Sequence, residues 1–361
     1  MKKTKFYNVH KKLGAKIVEF AGYEMPIQYS SIIAEHKAVR NSVGVFDVSH
    51  MGEVFVSGEK ALDFVQHITV NDASKLTPGR VQYSAMCYPD GGIVDDLLVY
   101  RFSENEFMLV INASNIDKDF QWMNDNNRFG VKLENRSNEY SLLAVQGPRS
   151  KEVLKKLTNA DLDNLEYYYF IKTQVAGTDM ILSRTGYTGE PGYELYFTGD
   201  EKKAEELWDK VFEAGNKFDI QPAGLAARDS LRLEMGFCLY GNDIDKTTNP
   251  LEAGLGWITK LTKSYFIGKE KLLEIKSKGL TKKLCGLVSE EKAFPRHGYD
   301  INSNGKIIGK VTSGTVSPVL EKPIALGYVD KEFSNEGSEV GILIRGKEVP
   351  ARVIKLPFIK K

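Results

Sequence analysis

The sequence predicts an α+β fold, with two related ferredoxin-like units followed by a C-terminal β-barrel or roll. The first observation is an internal echo. Val56-Ser57-Gly58-Glu59-Lys60-Ala61-Leu62-Asp63-Phe64-Val65-Gln66-His67-Ile68-Thr69 aligns without gaps on Val145-Gln146-Gly147-Pro148-Arg149-Ser150-Lys151-Glu152-Val153-Leu154-Lys155-Lys156-Leu157-Thr158. Val, Gly and Thr recur unchanged, an acid recurs at Asp63 and Glu152, and apolar residues recur at Phe64/Val153, Val65/Leu154 and Ile68/Leu157. Each copy reads as a strand end, a Gly turn and an amphipathic helix. The second observation is that strand-like runs and another helix follow each copy. The third is a change of text beyond Leu284, where short β-prone runs at 301–311 and 341–353 are broken by Gly, Asn and Pro.

Taken in order, the first copy leads into strands at 81–88, 93–101 and 107–111. A helix near 115–123 follows, with Ile116, Phe120 and Met123 on one face. The second copy leads into strands at 168–175, 180–183 and 193–197. Its helix runs over 201–214, with Ala204, Leu207, Trp208, Val211 and Phe212 inward and Gly215 as the stop. A further helix reads over 222–235, with Pro222 at its start and Gly236 at its end. The charged stretch Lys276-Ser277-Lys278-Gly279-Leu280-Thr281-Lys282-Lys283 marks a boundary. The expected organisation is a region 1–275 of two interleaved α+β subdomains and a barrel domain at 284–361.

A chain of 361 residues, 42% hydrophobic and 27% charged, has an ordinary globular composition. A formal charge of +1 gives no electrostatic case for nucleic acid. No stretch approaches the roughly 20 consecutive apolar residues of a membrane span. The basic start Met1-Lys2-Lys3-Thr4-Lys5-Phe6-Tyr7 leads into no apolar signal core. Cys87, Cys238 and Cys285 lie far apart and form neither a metal pattern nor a disulfide framework, so a cytoplasmic protein with reduced thiols is expected. His10, His36, His50, His67 and His297 show no metal spacing.

Chemistry concentrates in three stretches. In Gly91-Gly92-Ile93-Val94-Asp95-Asp96-Leu97-Leu98-Val99-Tyr100 two carboxylates sit in a strand that reads as buried on both faces. Alternation puts Asp95 with Ile93, Leu97 and Val99, and Asp96 with Val94, Leu98 and Tyr100. One of them is pressed against apolar neighbours and needs a partner, a proton or a ligand. Capping of the glycine turn, or a structural Arg, is the plainer use. In Arg184-Thr185-Gly186-Tyr187-Thr188-Gly189-Glu190-Pro191-Gly192-Tyr193-Glu194-Leu195 the glycines act as turns that draw the Tyr187 ring and the Glu194 carboxylate together. A carboxylate there can accept two parallel N–H bonds from a planar amidine-like edge such as a pterin or guanine, or be a surface Glu on a hairpin. Arg228 and Arg232 lie one turn apart on the helix after Pro222, as ligand contacts or as an ordinary charge lattice with Asp229.

These words occur in one order with Phe20-Ala21-Gly22-Tyr23-Glu24-Met25-Pro26, Asp47-Val48-Ser49-His50-Met51-Gly52-Glu53, Leu239-Tyr240-Gly241-Asn242-Asp243-Ile244-Asp245 and Thr312-Ser313-Gly314. Together they closely resemble the T-protein family of the glycine cleavage system, over essentially the whole chain. The resemblance implies three domains in a cloverleaf around a central folate channel. It implies an aminomethyltransferase that uses tetrahydrofolate as one-carbon acceptor, with a lipoylated H-protein as substrate carrier alongside the P- and L-proteins, and no metal. By the same resemblance the central carboxylate falls on Asp96, the pterin-binding Glu on Glu194 and a ligand-contacting Arg on Arg228. Met51, Tyr83, Asn112, Tyr168 and Tyr187 fall on pocket-lining positions. The chain ends at Pro357-Phe358-Ile359-Lys360-Lys361, where many relatives carry a longer tail that reaches the ligand, so that contact is not carried over. Rival readings are another folate-dependent demethylase, the folate-binding half of a sarcosine-type oxidase, which would need a flavin domain, and a non-enzymatic iron–sulfur assembly protein. The last carries a Cys-containing word where this chain has Ser264-Tyr265-Phe266-Ile267-Gly268-Lys269-Glu270.

Overall fold

The echo in the sequence is an echo in topology. The computed structural model describes residues 1–291 and 293–360. One sheet runs in the order Val81–Cys87, Ile93–Arg101, Glu106–Ile111, Gly52–Ser57, Lys132–Asn135. The other runs Phe170–Val175, Thr178–Ser183, Gly192–Thr198, Tyr140–Gln146, Gly44–Asp47, Gln221–Pro222. In both, three strands form a meander, the opening strand of the repeat pairs with the last of them, and the closing strand lies beyond. The ferredoxin-like pattern is therefore present with one extra meander strand, and in the second sheet Gly44–Asp47 is inserted before the closing strand. The turn out of each opening strand is also shared. Gly58 and Gly147 have φ of +133° and +132°, values costly for any residue with a Cβ. The helices Ala61–Ile68 and Ser150–Leu154 follow.

The chain forms two compact units, one of Met1–Phe64, Ala73–Gln82 and Leu97–Asp229, the other of Val65–Asp72, Tyr83–Asp96 and Ser230–Lys361. The first unit holds the six-stranded sheet. Its core joins Leu143, Val145, Leu195 and Phe197 of the strands to Leu207, Trp208 and Val211 of the helix Glu201–Gly215. That helix starts because the Asp200 side chain accepts from the Lys203 N–H at 2.9 Å. A buried His10 Nε2 lies 2.9 Å from Asp47 Oδ2, with Thr4 and the Ser49 N–H on the same carboxylate. Burial alone would raise the Asp47 pKa. His10, Ser49 and Thr4 outweigh it and bring the group below its ordinary value.

The second unit contains a closed barrel in the order Lys282–Val288, Pro323–Asp330, Lys306–Val316, Asp300–Ser303, Glu339–Ile344, Lys347–Ile354, whose last strand pairs back to the first. Closure leaves no free sheet edge. Leu287, Ile301, Val311, Val329, Ile342 and Val353 fill its core. The segment Val65–Asp72 is pinned by Lys263, whose buried ammonium donates to the carbonyls of Gln66, Thr69 and Asn71 at 2.8, 2.7 and 2.7 Å. The helix read over 222–235 is Leu225–Glu234 instead. Pro222 sits in a short parallel pairing with Val45, and the Ala223 N–H bonds to the Val45 carbonyl, so the sheet holds these residues out of the helix. The charged stretch expected as a boundary is partly helical, because Lys269–Lys278 runs to Gly279 before the barrel begins at Lys282.

Candidate active site

The second unit holds two of the residues expected at the site, Asp96 and Tyr83. The turn Asp90-Gly91-Gly92 feeds the strand Ile93–Arg101, and Asp90 caps it by accepting from the Gly92 N–H at 3.0 Å. Gly92 has no substitute, since a Cβ there would lie 2.1 Å from the Lys246 carbonyl oxygen. The strand start is clamped. The Ile93 N–H donates to the carbonyls of Asp245 and Thr248, and the Tyr240 hydroxyl donates to the Ile93 carbonyl at 3.2 Å. Alternation then separates the two carboxylates, leaving Asp95 fully buried and Asp96 part-exposed with Leu98. The Tyr83 hydroxyl donates to Asp96 Oδ2 at 2.9 Å, and the Tyr83 ring lies 6.1 Å from that of Trp257, which is 64% exposed.

In the first unit Glu194 is the third residue of the strand Gly192–Thr198, and the preceding loop is held by Gln146. Gln146 is 1% exposed; its Nε2 donates to the carbonyls of Thr185 and Tyr193, and its Oε1 accepts from Thr188. A Cβ on Gly186 or Gly192 would fall 2.0 or 2.4 Å from that amide, so the two glycines are what let the loop wrap it. Arg40 adds a bond from Nη1 to the Thr188 carbonyl and an ion pair with Glu190. Glu194 Oε2 accepts from Thr185 Oγ1 at 2.5 Å and Tyr196 at 3.4 Å. Behind them the Tyr100 hydroxyl contacts Ser183, Thr185 and Tyr196 at 3.1, 3.3 and 3.0 Å. Among the described residues Glu194 Oε1 accepts no hydrogen bond. Burial raises the Glu194 pKa, while Thr185, Arg228 and Tyr196 pull it down.

Arg228 completes this cluster. Its guanidinium carbon lies 4.6 Å from the Tyr187 ring centre, and its charge acts on both Glu194 and His50. The helix that carries it is positioned by Glu35, whose Oε2 accepts from the Gly224 N–H while Oε1 accepts from those of Tyr29 and Ser30. Tyr168 has φ of +65°, an uncommon conformation for a bulky residue, and its phenol is raised in pKa by burial and by Tyr167, Tyr100 and Glu194. Met51 and Asn112 flank one register pair, Gly52 opposite Ile111, which places them side by side at the ends of two neighbouring strands. The other six expected site residues, Met51, Asn112, Tyr168, Tyr187, Glu194 and Arg228, all lie in the first unit. Glu194, Arg228, Tyr187 and Tyr168 share electrostatic or ring contacts, and Met51 and Asn112 adjoin the terminal pair of two neighbouring strands.

Two further groups were not singled out from sequence. His50 is buried and held neutral, its pKa pushed down to about 3 by burial and by Arg228 against Asp47, and its Nδ1 has no partner among the described residues. Glu53 is 1% exposed, its Oε2 is buried without a partner, and burial together with the Glu194 charge raises its pKa well above the usual range. Both lie in the word Asp47–Glu53, where a carboxylate one residue into a buried strand was the available signal. A carboxyl with a raised folded-state pKa favours the protonated form, so its stability contribution is lost as pH rises. Glu53→Gln should therefore melt higher than the parent at neutral pH, with the difference shrinking toward acid pH. Thermal scans across pH check this; an equal or lower melting temperature at neutral pH would contradict it.

The arrangement offers a hydroxyl-supported carboxylate beside a cation and aromatic rings in one unit, and a Tyr-oriented carboxylate in the other. Among the described residues no group of three or more His, Cys, Asp or Glu is placed to hold a metal, and no helix is long and apolar enough to cross a membrane.

Residues 6–263 match the GCVT N-terminal domain and residues 282–360 the glycine cleavage T-protein C-terminal barrel domain. The aminomethyltransferase of Halothermothrix orenii is 51% identical over 359 residues, 99% of this chain and 100% of the relative. That of Flavobacterium psychrophilum is 53% identical over 363 residues, 100% of both. The crystal structure of the glycine cleavage system aminomethyltransferase T from Bartonella henselae superimposes with a TM-score of 0.92 at 36% identity, covering 99% of this chain and 98% of that one. Fold and comparisons together define an enzyme of the aminomethyltransferase class. The chain belongs to the glycine cleavage T-protein family.

Proposed function

We propose that this enzyme transfers the methylene of an aminomethyl group, carried on the dihydrolipoyl sulfur of an H-protein, to tetrahydrofolate. The carbon–sulfur and carbon–nitrogen bonds of the carrier break, ammonia and the reduced thiol leave, and two carbon–nitrogen bonds form on the acceptor. The observation that carries this reading is Glu194: a part-buried carboxylate with one oxygen held by Thr185 and Tyr196, the other open, and Arg228 and Tyr187 at hand. A pterin presents two parallel N–H donors on a flat apolar ring, which suits such a carboxylate and its neighbouring aromatics. Tyr168, Met51 and Asn112 are proposed to line that pocket.

Asp96 has a different role. Its carboxylate, oriented by the Tyr83 hydroxyl, is proposed to face positive charge that develops on the transferring carbon as sulfur or ammonia departs. A fixed anion in a low-dielectric site stabilises that charge without reorganisation, and it can orient the proton on the attacking nitrogen. Tetrahydrofolate supplies the accepting nitrogens. The P- and L-proteins of the glycine cleavage system would generate and recycle the H-protein carrier. The same reading puts the enzyme in the cytoplasm, where the buried free thiols of Cys87, Cys238 and Cys285 stay reduced.

Glu194→Gln tests the anchor. It places a donor where a donor must bind, and it should weaken tetrahydrofolate binding by about 1.5–3 kcal/mol. Calorimetric titration that returned the parent affinity would remove Glu194 from the pocket.

A further inference from the structure

The first unit contains a cavity of about 430 Å³, whose walls include Lys151, Glu152, Lys155, Arg184, Pro191 and Tyr193. It opens beside the short helix Ser150–Leu154 and the start of the loop that carries Tyr187. Three of those six residues are cationic and one is acidic. The lysines are partly occupied, since Asp163 pairs with Lys151 at 3.3 Å and with Lys155 at 2.5 Å. Arg184 spends one N–H, from Nη1, on the Leu165 carbonyl at 2.7 Å. Among the described residues its side chain makes no other hydrogen bond.

The decisive group is Tyr193. It is 1% exposed, and its hydroxyl is buried without a hydrogen-bond partner among the described residues. Buried hydroxyls are almost always satisfied, because leaving one unpaired forfeits its hydration for nothing. Its ring is fixed, since Tyr193 belongs to the sheet core and pairs with Val145. Burial raises the pKa of the phenol, the Arg184 charge acts against that, and Asp163 and Glu152 act with it. A donor O–H, a guanidinium with uncommitted N–H groups and two ammonium groups around one cavity share a single complementary chemistry.

We propose that this cavity binds a small oxyanion, a carboxylate or phosphate group, with Tyr193 and Arg184 as hydrogen-bond donors and Lys151 and Lys155 exchanging Asp163 for the ligand. Guanidinium offers paired donors that match either group. This site is independent of the methylene transfer proposed above, because none of its residues is assigned to that reaction.

The test is thermal stability and calorimetric titration of the full chain with inorganic phosphate and, separately, with glutarate, at ionic strength held constant with chloride. Saturable binding of either probe, stronger than that of chloride, is expected; the two arms tell a phosphate site from a carboxylate site. Tyr193→Phe removes only the hydroxyl, so it should fold and melt at least as high as the parent, yet bind the preferred probe about threefold to tenfold more weakly. Lys155→Gln should weaken it by a similar factor, and Arg184→Gln should weaken it further. The proposal fails if neither probe saturates, or if Tyr193→Phe and Lys155→Gln both bind as tightly as the parent.

Discussion

Replacing Asp96 by Asn is expected to lower turnover about a hundredfold or more, which corresponds to about 2.7 kcal/mol of transition-state stabilisation, while tetrahydrofolate affinity stays nearly unchanged. The substitution keeps size and the capacity to accept from Tyr83, so the hydrogen bond now at 2.9 Å can survive. What it removes is the negative charge. Uniform binding is untouched by that loss, so the effect belongs in turnover rather than in affinity. Asp95 is the internal control. It is fully buried on the opposite strand face, and Asp95→Asn should show mainly a lowered melting temperature. Turnover at saturating H-protein and the melting temperature of each variant separate the two roles. If Asp95→Asn abolishes activity while Asp96→Asn remains a good enzyme, the assignment is wrong even though the family is right.

Asp243→Ala is expected to destabilise the protein by about 3–5 kcal/mol, the range for removing one member of a buried ion pair. Arg232 and Asp243 are 1% and 0% exposed in their side chains and meet at 2.6 Å. Asp243 also accepts from the Leu239 N–H and from Thr312 Oγ1, while Arg232 donates to Ser313 Oγ and the Phe237 carbonyl. Alanine leaves the guanidinium buried without this counter-charge and the Leu239 N–H without its acceptor, while Thr312 Oγ1 keeps only the Leu326 carbonyl at 3.2 Å. The damage should also reach the strand that carries Asp96, because the segment held by Asp243 supplies Tyr240 and Asp245, which clamp Ile93. Urea denaturation measures the loss. A change below about 1 kcal/mol would show that the network is not what fixes this segment.

How far the sequence carried depended on the range of the interactions. The β-prone apolar run at 93–101 defined the strand Ile93–Arg101 to the residue, and side-chain alternation along it put Asp95 and Asp96 on opposite faces, because both are local properties. The barrel was readable from β-prone runs punctuated by turns. The repeat was visible because Gly58 and Gly147 each need a positive φ, which few other residues supply. Gly44–Asp47 was not legible as a member of the second sheet, since its partners Leu143–Gln146 lie far along the chain. Pro222 looked like a helix start until the sheet claimed it. In the candidate site, Asp96 stood out as a carboxylate in an apolar strand and Glu194 as one that glycine turns draw toward the Tyr187 ring. The hydroxyls of Thr185, Tyr196 and Tyr100 behind Glu194 did not, because nothing in a sequence distinguishes a Tyr packed for its ring from one placed for its oxygen. Gln146 was hidden for the same reason, its role being set by two glycines 40 and more residues away.

The central claim is methylene transfer from an aminomethylated carrier to tetrahydrofolate, and product analysis addresses it directly. Aminomethylated H-protein is incubated with the enzyme, with and without tetrahydrofolate, and ammonia and methylenetetrahydrofolate are quantified, with dimethylglycine as a competing donor. Equal amounts of the two products, formed quickly only when tetrahydrofolate is present and undiminished by dimethylglycine, are the predicted result. Ammonia release without methylenetetrahydrofolate, or faster demethylation of dimethylglycine than of the H-protein adduct, would contradict it.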